Sequence, residues 1–145
     1  MSVLPKTLDA VIAAEIDGYA SLLALLHDET RALCTGDVGV LERQAEEKLQ
    51  HVRSLERLFA ERQHLAPPAQ DPQVPAQRDE MLRLLLERAG EAKRVNALNG
   101  RLIDRHQQYA SRSLAALRDA AGQPSLYGAN GQSSQIVPSV RRVCA

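Results

Sequence analysis

The chain has 145 residues, the length of one ordinary domain. Ala, Leu, Arg, Glu and Lys make up almost half of it, a bias of long helices that argues against an all-β protein. Eighteen basic side chains balance 18 acidic ones, and there is one Phe, three Tyr and no Trp, so the chain has neither a global field for polyanions nor stacking platforms for single-stranded nucleic acid.

The first residues, Met1 to Lys6, lack the basic start, apolar core and small-residue cleavage site of a leader. No run approaches the ~20 apolar residues that span a bilayer. A cytoplasmic protein without membrane insertion is expected. A first helix over about residues 5–34 follows from Leu8, Ile12, Ile16 or Glu15, Tyr19, Leu22, Leu23, Leu26 and Leu33, which recur every three or four residues along one face. Gly36 can adopt the left-handed conformation that ends a helix, and Asp37 can cap the next by accepting its first free N–H groups. A second helix over about 38–65 carries Leu41, Ala45, Leu49, Val52, Leu55, Phe59 and Leu65, and the tight turn predicts an antiparallel hairpin.

Pro67, Pro68, Pro72 and Pro75 crowd the stretch 66–77, which is expected to be an extended linker because proline removes a helix donor and clashes with the preceding turn. A third, longer helix is predicted from about residue 78 to 121, where Gly122 and Pro124 stop it. Its seam repeats every seven residues as Leu82, Ala89, Asn96, Ile103, Ala110 and Leu117, as in a coiled coil. Residues 122–145 are polar and rich in Gly, Ser and Pro, and a flexible tail is expected there. The fold predicted is all-α: a helical hairpin plus a long third helix, forming one helical domain over residues 1–121. Residues 1–36 hold two basic and five acidic side chains, and residues 78–121 nine basic and six acidic, so the two segments are suited to lie side by side.

Enzymatic chemistry finds little footing. Glu61-Arg-Gln-His64 is a single Glu-x-x-His, where a di-iron bundle needs two, and His27, His51 and His106 stand in no nucleophile or zinc-ligand context. Cys34 and Cys144 stand far apart with no CxxC or metal-ligand spacing, so both are expected to be reduced. No metal, cofactor or catalytic residue is expected. The glycines of Gly128-Ala-Asn-Gly131 lack the Lys-Ser/Thr and helix of a phosphate loop. Arg83, Arg94, Arg101, Arg105 and Arg112 are interrupted by Glu87, Glu91 and Asp104, so helix 3 lacks the continuous positive face of a nucleic-acid reader.

What remains is the seam of helix 3. Asn96, Asn99 and Gly100 replace large apolar residues where packing should be tightest, and a buried amide with unmade hydrogen bonds costs about 1–3 kcal/mol. One reading is that an Asn fixes the register between helices while Gly100 permits close approach. The other is that this stretch offers room and polar anchors to a partner's helix. Ile103, Ala110, Leu114 and Leu117 would then extend an apolar groove for an amphipathic segment.

These residues resemble the FlgN-type flagellar export chaperones. Asn96-Ala-Leu-Asn99-Gly100-Arg-Leu-Ile103 is similar to the family's Asn-x-x-Asn-Gly-x-x-Ile signature in its last long helix. Leu126-Tyr127-Gly128, followed by Gly131 and Gln132, is similar to its Tyr-Gly segment, and Leu41, Lys48, Leu49, Leu55 and Arg62 match its leucine-led helix 2. The resemblance spans about residues 5–132. It implies a cytosolic chaperone of the type III flagellar export system, without an ATPase of its own, that binds the C-terminal helical segments of hook-filament junction proteins and delivers them unassembled. It further implies that the C-terminal region holds substrate and that Tyr127, with Gly128, docks to the export gate. Composition and periodicity serve a second expectation equally well, a coiled-coil adaptor that only oligomerises.

Overall fold

The computed structural model describes residues 7–65 and 76–122, and among them it is all-α: α1 (Leu8–Thr35), α2 (Val38–Leu65) and α3 (Ala76–Gly122). The linker residues 66–75, the tail from residue 123 onward and Cys144 lie outside the described residues. Cys34, on α1, is disulfide-bonded, which corrects the expectation of a reduced thiol.

Local chemistry sets the helix ends. Thr7 is extended, and its Oγ1 accepts the Ala10 N–H at 3.2 Å, so α1 starts from a side-chain cap. At the other end Gly36 takes φ 73°, ψ 25°, a conformation open to glycine because it has no Cβ. The N–H groups of Gly36 and Asp37 both donate to the Ala32 carbonyl, at 2.9 and 3.2 Å. Asp37 Oδ1 then accepts the Val40 N–H at 3.1 Å and opens α2. The chain therefore reverses within two residues, as the Gly-Asp pair predicts.

Two compact units are present, Met1–Asn99 and Gly100–Ala145. In the first, α1 is the central element. Its buried face comprises Val11, Ile12, Glu15, Leu22, Leu23, Leu25, Leu26, Glu29, Ala32 and Leu33. Leu22, Leu23 and Leu26 pack with Leu55 of α2 and Ala92 of α3, and Tyr19 and Val95 close over the cluster. Gly18 lets α2 approach: a Cβ there would lie 2.8 Å from Leu55 Cδ2.

Two glutamates sit in this face. Glu15 Oε2 accepts from Arg62 Nε at 2.5 Å, and Glu29 receives Lys48 Nζ at 3.1 and 3.3 Å. Both cations come from α2, so the pairs run antiparallel and fix the hairpin's register. The α1–α3 charge complementarity expected from the sequence is met by Asp9 and Arg78, 2.6 Å apart. The Arg78 hydrogen bond holds the Asp9 carboxyl below its ordinary range.

By length and composition α1 is apolar enough to cross a bilayer, which corrects the expectation that no such run exists. Its apolar side, however, is the face packed in the core, and that face carries Glu15 and Glu29 with their α2 partners. The same pattern arises whenever a helix is enclosed by two neighbours.

Candidate functional site

Asn96 and Asn99 are three residues apart on α3, and the structure separates them. Asn99 is fully buried. Its Nδ2 donates to the Leu26 carbonyl and to Glu29 Oε1, both at 2.9 Å, and its Oδ1 accepts from Thr30 Oγ1 at 2.6 Å. A carboxamide offers two N–H donors and an acceptor, and all are used. Because Glu29 also receives Lys48, one junction ties α1, α2 and α3 together. Asn99 is thus engaged by the protein's own α1, as the register reading of a seam Asn requires. The sequence reading missed Glu29, Thr30 and Lys48 as its partners; the seam position of Glu29, fourteen residues after Glu15, was the available signal.

Asn96 is exposed and stands at the edge of a recess of about 360 Å³ in the first unit. Tyr19, Leu22 and Leu26 of α1 form its floor, Val52 one wall, and Ala89 and Ala92 the other. Lys48 and Lys93 reach into it from α2 and α3. Ala89 and Ala92 present small side chains on the α3 side, while Leu22 and Leu26 beneath them are themselves buried.

Gly100 does not serve close approach, since a Cβ built on it meets nothing within 4 Å and its φ is not positive. Gly100→Ala is therefore expected to stabilise α3 by about 0.5–1 kcal/mol, the helix-propensity gain. A raised urea midpoint checks this, and a lowered one would reveal a neighbour that needs the space.

In the second unit Leu102 is buried and Ile103 half-buried. Ala110, Leu114 and Leu117 are exposed, the last two by 55% and 67%. Ile103, Ala110, Leu114 and Leu117 succeed one another at seven, four and three residues, so they share one helix face. Tyr109 is 55% exposed on the same stretch and was not singled out by the sequence reading, although an aromatic within Gln107-Gln108-Tyr109 is the only such residue in that helix. Tyr127 and Gly128 lie outside the described residues.

Among the described residues no three metal-binding side chains cluster, and the buried carboxylates are each held by a cation. The second unit carries an exposed apolar helix face, and the first a recess beside its core.

No curated protein and no solved structure matches the chain. The family model described as FlgN protein matches residues 1–135, which takes in all three helices and the Asn-x-x-Asn-Gly-x-x-Ile stretch. With nearly the whole chain matched, this protein belongs to the FlgN family of flagellar export chaperones.

Proposed function

We propose that the protein binds the C-terminal helical segments of hook-filament junction proteins in the cytoplasm, keeps them from assembling prematurely and delivers them to the flagellar export gate. The observation that supports this most is the apolar face of α3 in the second unit, where Leu114 and Leu117 stand more than half exposed in line with Ile103 and Ala110. Such a stripe is costly to leave in water and matches the i, i+3, i+4, i+7 anchors by which amphipathic helices dock. A subunit whose terminal helix pairs with its neighbours is kept apart when a chaperone covers that helix. Tyr127 and Gly128 are assigned to the gate and the stripe to cargo, so the two tasks fall on different segments. Asn99 contributes by anchoring α3 at the point where the stripe begins, and Asn96 and Gly100 flank that point.

Titration calorimetry with the C-terminal segment of a junction protein is the direct test. One-to-one saturable binding is expected. Leu114→Asp or Ile103→Asp should weaken it by about 2 kcal/mol, the order for one buried aliphatic side chain, with helicity retained. Unchanged affinity with a lower melting temperature would return these side chains to a structural role. Self-association through the same stripe without peptide binding would favour the coiled-coil adaptor.

A further inference from the structure

We propose that the cargo stripe of the second unit selects a helix whose own apolar seam is bordered by uncharged side chains, amides, hydroxyls and alanines, rather than by carboxylates or ammonium groups. This rests on the reading of Ile103, Ala110, Leu114 and Leu117 as the cargo face and adds the chemistry that the face accepts.

The charges of this helical segment are set away from the stripe. At about 100° per residue, Arg101, Asp104, Arg105, Arg112 and Asp119 fall about 110–170° round the helix from the middle of the stripe. Arg118, about 70° from it, is the one charge nearer, and it stands close to the end of α3. Before it the borders are His106 and Ser113 on one side and Gln107 and Ser111 on the other, all exposed except the half-buried Ser113. Gln107, Ser111 and Ser113 carry no charge, and the His106 imidazole is the one group among the four that can titrate. An ordinary coiled coil is built the other way: charges border its seam and choose the partner by opposite sign.

Selection here works by exclusion. A carboxylate or ammonium group beside the seam of an incoming helix would lose water against Gln107 or Ser113 and meet no opposite charge in exchange. An alanine brings no such cost, and an amide or hydroxyl is repaid, since the Gln107 carboxamide and the His106 imidazole can each donate and accept a hydrogen bond. Helices bordered by Glu and Lys, the common soluble kind, are turned away on this ground. Because no ion pair forms across the contact, affinity should hardly depend on salt, and cargo segments that differ in overall charge can share one face.

The test uses the full chain and three synthetic helical probes of about 21 residues, or three heptads, with Leu at both seam positions, identical outer positions, and Gln, Glu or Lys at the bordering positions. These three side chains have similar helix propensities, so the probes differ in charge and little else. Fluorescence anisotropy at about pH 8, where imidazoles are neutral, should show the Gln probe binding one-to-one and about tenfold tighter than either charged probe. Its affinity should change less than about twofold between roughly 0.05 and 0.5 M salt. Gln107→Glu should tighten the Lys probe about fivefold and weaken the Glu probe, with circular dichroism unchanged, because the side chain is exposed and Glu is a good helix former. A Glu or Lys probe that binds as tightly as the Gln probe, or probe affinities indifferent to Gln107→Glu, overturns the selection while leaving the cargo face in place. No binding by any probe, or binding that Leu114→Asp does not weaken, overturns the cargo face itself and this proposal with it.

Discussion

Asn99→Asp is expected to cost about 3–5 kcal/mol of folding stability, the range for leaving a charge buried without compensation. The substitution hardly changes shape, so packing is not at issue. The side-chain nitrogen, which now donates to the Leu26 carbonyl and Glu29 Oε1, becomes an oxygen 2.9 Å from two other acceptors. Two hydrogen bonds are lost, and a second carboxylate is set against Glu29 at a position with no exposure to water. Lys48 is a single cation and cannot neutralise both. Asn99→Leu is the informative control. There Glu29 keeps Lys48, and Thr30 Oγ1, already 2.9 Å from the Leu26 carbonyl, keeps an acceptor, so a loss of only about 1–2 kcal/mol is expected. Urea unfolding with comparable slopes decides the matter. Equal losses in the two variants would show that the junction is not sensitive to charge and that Asn99 acts by volume alone.

The second large effect is at the other buried glutamate. Arg62→Met removes the cation from Glu15, whose side chain is 3% exposed, and should cost about 2–4 kcal/mol. The figure lies below that of a wholly buried pair because Arg62 is itself 22% exposed and solvent screens it there. The guanidinium also lies 5.2 Å from the centre of the Phe59 ring, a smaller contribution that the Met side chain partly replaces. Glu15→Leu combined with Arg62→Met should recover most of the loss, since an apolar pair needs no partner in the core. A double variant no more stable than Arg62→Met would mean that the pair specifies geometry that Leu and Met fail to supply. A loss below about 0.5 kcal/mol in Arg62→Met would place water, rather than Arg62, as the partner of Glu15.

The parts of the fold that depend on near neighbours in the chain were legible in the sequence. Gly36 and Asp37 announce the hairpin because a left-handed glycine and an N-cap act within four residues. The three apolar stripes likewise follow from helical spacing. What depends on the rotation of one helix against another was not legible. Asn96 and Asn99 stand about 60° apart around α3, enough to bury one seam Asn in the core and leave the other exposed at the edge of the recess, and periodicity treats both as seam. Glu15 and Glu29 posed the same problem: their places on the α1 face are countable, but Arg62 and Lys48 become their partners only through the antiparallel register of α2. Gly100 misleads for a different reason. A glycine in a seam suggests contact, and here that side of the helix is open. The start predicted near residue 5 takes no account of Thr7, the N-cap of α1, although a threonine before an apolar-periodic run is a start signal in its own right.

The separations of the bonded residues along the chain also set an order of assembly. Lys48 meets Glu29 across 19 residues and Arg62 meets Glu15 across 47, whereas the bonds of Asn99 to α1 span 69 to 73. Closing the longer loop is entropically dearer, so the hairpin zips from its two-residue turn and α3 joins a preformed partner. During synthesis the nascent hairpin is then expected to cover Leu22 and Leu26 with Leu55 alone, leaving open the side that Ala92 and Val95 later close.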